Sequence, residues 1–141
     1  MLSPPRCLLL LVSLPACSQA RPGQAESDKK TLLECRAPDG SIASFFIASG
    51  GGAAGWAYEH VSVTPKAESV PSDVLVLKGA YDVHMVWQNA TTLKIQVPED
   101  VRIDHWQSWF GRSAQGRIYL ELLPPRGNTE LADSGSCAPA A

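Results

Sequence analysis

Apolar and polar residues alternate with a period of two through the middle of this chain. Leu93-Lys94-Ile95-Gln96-Val97 is the cleanest case, with apolar side chains on one side and polar ones on the other. A half-buried β-strand produces that pattern. Val83-His84-Met85-Val86-Trp87 and Ile118-Tyr119-Leu120-Glu121-Leu122 repeat it. From Trp56 to Thr64, Ala57, Val61 and Val63 fall on one side and Trp56, Tyr58 and His60 on the other. Ser41–Ala48 is apolar on both faces, and Val74-Leu75-Val76-Leu77 is a short run of buried-strand character. Turn signals separate these runs: Pro38-Asp39-Gly40, the glycine-rich Gly50–Gly55, the connection Pro65–Asp73, Gly79–Asp82 and Asn89–Thr91. Strands at such spacing predict an all-β domain, an antiparallel meander or small β-sandwich of about six to seven strands. Glu99–Arg112 is ambiguous, since Asp104–Phe110 also fits one or two helical turns.

The ends differ from the middle. Met1–Ala20 has the form of an export signal: Arg6, a short apolar stretch from Cys7 to Leu14, then two overlapping cleavage options. Leu14-Pro15-Ala16-Cys17 resembles a lipobox, with Cys17 as the lipidation site, and Ser18-Gln19-Ala20 resembles an ordinary site cut after Ala20. The apolar stretch is about half the roughly 20 residues that a spanning helix needs. Residues 21–30 are polar and expected to be a flexible tether, residues 31–124 the β domain, and residues 125–141 an irregular tail fastened through Cys137.

Four cysteines occur, and either cleavage route leaves Cys35 and Cys137 as the common pair. An exported chain meets oxidising conditions, so a Cys35–Cys137 disulfide is expected. No CxxC is present and the spacing is not that of a zinc site.

The Pro38-Asp39-Gly40 turn with Ile42-Ala43-Ser44-Phe45, and Trp87-Gln88-Asn89-Ala90-Thr91-Thr92-Leu93, resemble openings of TolB-type propeller repeats. A closed propeller needs about four or more blades, and this length supplies at most two. A closer likeness is to short exported bacterial proteins, some with lipid anchors, of unknown function. They share the Pro-Asp-Gly turn and strand, a Gly-containing loop, a strand ending as Val61-Ser62-Val63-Thr64-Pro65 does, and a Trp-x-Asn-x-Thr-Leu turn, here Trp87–Leu93. The likeness covers roughly residues 35–100 and implies no activity. Members often carry a Cys near the Gly loop; this chain has none there, so no disulfide pattern transfers.

Composition narrows the functions. The formal net charge is −2 with no basic run beyond Lys29-Lys30, which argues against a nucleic-acid partner. Asp82-x-His84 and Asp104-His105 offer metal ligands, but a site needs three or four, so no metal or cofactor is expected. Gly111-Arg112-Ser113-Ala114-Gln115 falls one residue short of a nucleophile elbow, and the glycine loop lacks Gly-Lys-Ser/Thr. Asn89-Ala90-Thr91 matches a glycosylation acceptor that the bacterial likeness makes accidental. No catalytic residue is assigned. His105-Trp106-Gln107-Ser108-Trp109-Phe110 packs three aromatics beside Arg102 and Arg112. Such rings cap a β core or form a binding hot spot. Trp106, Trp109, Phe110, Arg102 and Arg112 are therefore the partner-binding candidates. The expected function is that of a small, non-catalytic binding protein of the bacterial cell envelope, in the periplasm on a lipid anchor or soluble, with a protein partner. The alternatives are a structural envelope component and a periplasmic inhibitor or immunity-type protein.

Overall fold

The architecture is a two-sheet β-sandwich. A computed structural model describes residues 27–80, 82–111, 117–123 and 137–140. The leader with Cys17, residues 21–26 of the expected tether, and Arg112 lie outside them. The described strands are β1 (Asp28–Arg36), β2 (Ile42–Gly50), β3 (Trp56–Thr64), β4 (Ser72–Lys78), β5 (His84–Asn89), β6 (Thr92–Gln96), β7 (Arg102–Trp106), β8 (Trp109–Phe110), β9 (Ile118–Leu123) and β10 (Cys137–Pro139). A six-stranded sheet has the order β10-β1-β2-β3-β4-β7, and a four-stranded sheet the order β5-β6-β9-β8. Neither closes into a barrel or propeller.

The alternating pattern does what it predicts: the strands that show it turn their apolar side toward the other sheet. Cys35, Ala43, Phe45, Val61, Val63, Leu75 and Leu77 come from the larger sheet, and Met85, Trp87, Leu93, Ile95, Ile118 and Leu120 from the smaller. All are buried, and Cys35, Ala43, Val61, Val63, Leu75, Leu77, Leu93 and Ile95 completely.

Turn chemistry sets the strand ends. Asp39 accepts hydrogen bonds from the Ser41 N–H (2.9 Å) and hydroxyl (3.1 Å), and Gly40 takes φ 95° as the chain reverses. The buried Ser41 Oγ in turn accepts the Lys66 N–H at 3.1 Å, joining this turn to the β3–β4 connection. At the β5–β6 hairpin, Asn89 Oδ1 accepts the Thr91 N–H (2.8 Å) and hydroxyl (3.0 Å).

Strands exceed the six to seven expected. β1 begins at Asp28, so residues 28–30 belong to the sheet rather than the tether; they pair with Ile47, Ala48 and Ser49. Residues 137–139 form β10 rather than an irregular tail, with Cys137 opposite Cys35 and disulfide-bonded to it. Residues 99–111, the described part of the stretch that also fitted helical turns, supply β7 and β8 instead. β6 and β9 run parallel, the described exception to the antiparallel pattern.

The two flanks of the sandwich are closed differently. On one, the disulfide lies against β5: Cys137 Sγ is 3.0 Å from the Met85 carbonyl oxygen, a sulfur–oxygen contact, and Trp87 Nε1–H donates to the Cys35 carbonyl at 3.1 Å. On the other, the chain crosses from β7 to β8 through Gln107 and Ser108.

One buried polar group needs an account. Glu59 is 3% exposed on β3, and its carboxylate accepts the N–H of Gly79, a residue with φ 89° in the turn after β4. Glu59→Ala strands that donor and is expected to lower the unfolding free energy by about 1–3 kcal/mol. Glu59→Gln retains an acceptor and loses less. Urea titration of both variants checks the difference; equal losses would show that the bond contributes nothing.

Candidate functional site

Five residues carry the aromatic cluster from one sheet to the other, and the crossing sends its rings in different directions. Trp106 ends β7 opposite Leu75, half-buried against the core. The Gln107 N–H then donates to the Val74 carbonyl (2.9 Å), and the Ser108 carbonyl accepts the Leu120 N–H (2.9 Å), so consecutive residues bond to opposite sheets. Phe110, opposite Ile118, packs against the core as Trp106 does. Trp109, opposite Tyr119, faces outward; the two rings are 44% and 50% exposed. The Arg117 guanidinium carbon lies 4.6 Å from the centre of the Trp109 ring, a cation–π contact.

Beside this crossing lies an open cleft of about 330 Å³, lined by Glu68, Val70 and Ser72 from the β3–β4 connection and the start of β4, and by Gln107, Trp109, Phe110 and Gly111. Val70 is 68% exposed. Two of the aromatic candidates, Trp109 and Phe110, therefore share one concave surface, and Trp106 serves the core.

Arg102 stands apart from them. It begins β7 on the outer face of the six-stranded sheet, paired with Lys78. Its Nε and one terminal nitrogen donate to the two Asp104 oxygens at 2.6 and 2.8 Å. This bidentate hydrogen bonding holds the Asp104 carboxyl below its ordinary pKa against a desolvation penalty, with the Arg102 and Lys78 charges adding to the lowering. Arg102 is raised by the same pairing and, more weakly, by Tyr58. Because the folded-state pKa of Asp104 is depressed, the pair's stabilisation is present above the unfolded-state pKa and is lost as the pH falls through the folded-state value. Arg102→Met is expected to return the Asp104 midpoint upward toward the ordinary value, measured by carboxyl NMR titration. An unmoved midpoint would show the pair does not persist in solution.

The histidines do not converge. His84 Nε2 and Asp82 Oδ1 are 2.9 Å apart, so this pair shares a face as its spacing allows. His60 Nδ1 lies 2.9 Å from Asp73 Oδ2. The Asp104 oxygens are engaged by Arg102 rather than by His105. Among the described residues no group of three His, Cys, Asp or Glu is arranged to hold a metal ion.

A second surface carries a cluster of aromatic and charged side chains that sequence reasoning did not select as a site. On the outer face of the six-stranded sheet, Phe46 and His60 stack at 4.9 Å with 7° between their planes, and Lys29 Nζ lies 3.7 Å from the Phe46 ring centre. Farther along β3 stand Tyr58 and Trp56, 6.1 Å apart and tilted by 46°. The alternation of Trp56, Tyr58 and His60 was a visible signal that they share a face. Their neighbours Lys78 and Arg102, 18 or more positions away in sequence, come from strands paired in the fold.

No protein-family model, curated protein or solved structure matches this chain.

Proposed function

We propose that this chain is an exported binding protein of the bacterial cell envelope, tethered through Cys17, that engages a protein partner at the Trp109 cleft without catalysing a reaction. The observation that carries this reading is the exposure of Trp109 and Val70 in one cleft, with exposed Tyr119 paired beside Trp109. The core already has its closing rings in Trp106 and Phe110, so the exposed indole contributes little to it. A large ring at a cleft loses water on contact with a partner, which is where interface energy concentrates. The polar groups of the cleft, Glu68, Ser72 and Gln107, suit hydrogen bonds at a rim and contain no nucleophile paired with a base. The disulfide supports an oxidising compartment.

Two measurements test this. Intact mass of the mature protein is expected to show an acylated chain beginning at Cys17; an unmodified chain beginning at Arg21 removes the anchor. A photo-crosslinking residue at position 70, introduced in living cells, is expected to capture one stoichiometric envelope protein. Trp109→Ala is expected to weaken that complex by about 2 kcal/mol or more. Unchanged capture would remove the cleft from the reading.

A further inference from the structure

We propose that the outer face of the six-stranded sheet, at the end bearing the β2–β3 hairpin, binds an acidic saccharide: a sugar ring rests on Trp56 and its carboxylate lies between Lys78 and Arg102. This surface is separate from the Trp109 cleft and independent of it.

Register assembles the site. Ala48 pairs with Tyr58 and Lys78 with Arg102, while Lys78 Nζ lies 5.7 Å from the Tyr58 ring centre. A small side chain, an aromatic, an ammonium and a guanidinium thus cross β2, β3, β4 and β7 in one row. Trp56 stands two residues before Tyr58 on the same face of β3, opposite Gly50.

The Trp56 indole is seated on backbone. A Cβ on Gly50 would come within 3.0 Å of its Cζ2, and one on Gly51 within 2.9 Å of its Cδ1. Glycine at these positions lets the ring lie close against the hairpin while remaining 44% exposed. A ring held in place this way loses little further freedom when a ligand stacks on it.

The chemistry around the ring selects the ligand. The negative face of an indole attracts the positively polarised C–H groups of a sugar ring. A purely apolar ligand would strip water from Lys78, Arg102 and Asp104 without replacing its hydrogen bonds. The planar guanidinium and carboxylate offer fixed donors and acceptors to vicinal hydroxyls. Arg102 has Asp104 as its partner, whereas Lys78, 5.7 Å from the centre of the Tyr58 ring that neighbours Trp56, forms no ion pair with the described residues, so the surplus charge beside Tyr58 is positive. A cationic ligand is repelled and a sugar carboxylate is attracted.

The test is NMR and calorimetric titration of the mature, oxidised protein with tetragalacturonate and with neutral cellotetraose. Tetragalacturonate is expected to bind saturably and to shift the amides of Trp56, Tyr58, Lys78 and Arg102. Trp56→Ala is expected to weaken binding about tenfold or more. Gly50→Ala, which keeps the indole but takes its seat, is expected to weaken it by about threefold or more. Lys78→Gln is expected to bring the acidic and neutral probes to similar affinity, and added salt to weaken only the acidic one. If Trp56→Ala fails to fold, Gly50→Ala and Lys78→Gln carry the test. Absence of saturable binding by tetragalacturonate, equal wild-type affinity for both probes, or shifts confined to other surfaces overturns the proposal. So does displacement of the saccharide's effect by anionic phospholipid vesicles at lower concentration, which would mark the surface as lipid-binding.

Discussion

Replacing both Cys35 and Cys137 by alanine is expected to lower the unfolding free energy by about 2–5 kcal/mol. The bridge joins residues 102 positions apart, so it closes a loop spanning almost the whole described domain. In the chain-entropy model a loop of about 100 residues corresponds to about 4.7 kcal/mol. The native state also loses contacts. Cys35 is fully buried, and β10 is only three residues long, so its pairing with β1 depends on the covalent link. At roughly 4–8 °C per kcal/mol for a domain near 100 residues, the expected fall in Tm is about 10 °C or more. Urea and thermal unfolding of oxidised wild type, reduced wild type and the double variant check this. A change below about 1 kcal/mol would mean that the unfolded chain is already restricted without the bridge.

Trp87→Ala is expected to be comparably damaging, at about 3–5 kcal/mol. Trp87 is 5% exposed and fills the core from β5, the edge of the four-stranded sheet nearest the disulfide. Its indole N–H also bonds to the Cys35 carbonyl at 3.1 Å, a direct link between the sheets. Alanine opens a cavity and leaves that carbonyl without this donor. Trp87→Phe separates the two effects, because it fills much of the volume but cannot donate; its expected cost is about 1–3 kcal/mol. Trp87 and the disulfide meet at one residue, so their effects should not add. A double-mutant cycle between Trp87→Phe and the cysteine double variant measures the coupling. Simple additivity would show that the indole and the bridge act independently.

Both predictions concern a flank whose two halves were differently legible. The cysteine pair followed from counting, because both expected cleavage routes leave the same two thiols. That Trp87 would reach the Cys35 backbone was invisible, since the two residues are 52 positions apart. The same division runs through the aromatic candidates. The sequence shows that Trp106, Trp109 and Phe110 are close together. It does not show that the chain changes sheets at Gln107 and Ser108, which packs two rings against the core and exposes the third.

The open margins of the six-stranded sheet were the hardest to read: β7 is its edge strand, and β10 covers β1 only at Leu33, Glu34 and Cys35. β1 opens with Asp28-Lys29-Lys30, and β7 reads Arg102-Ile103-Asp104-His105-Trp106, exposed over its first four residues. Neither shows a clear buried face, and charged residues are what an open sheet edge carries. β10 has three residues, too few for any period to appear.

Local sequence determined what local forces control: the period-two strands, the Asp39–Gly40 and Asn89–Thr91 turns, the all-β class and the identity of the cysteine pair. Tertiary structure decided which strands lie side by side, that β6 and β9 run parallel, where the edges fall, and which aromatic and charged side chains share a surface. The physical reason is that side-chain alternation is written along the chain, whereas ladder pairing uses backbone N–H and C=O groups common to nearly every residue. Which ladder forms is settled only when distant strands bury their apolar faces together.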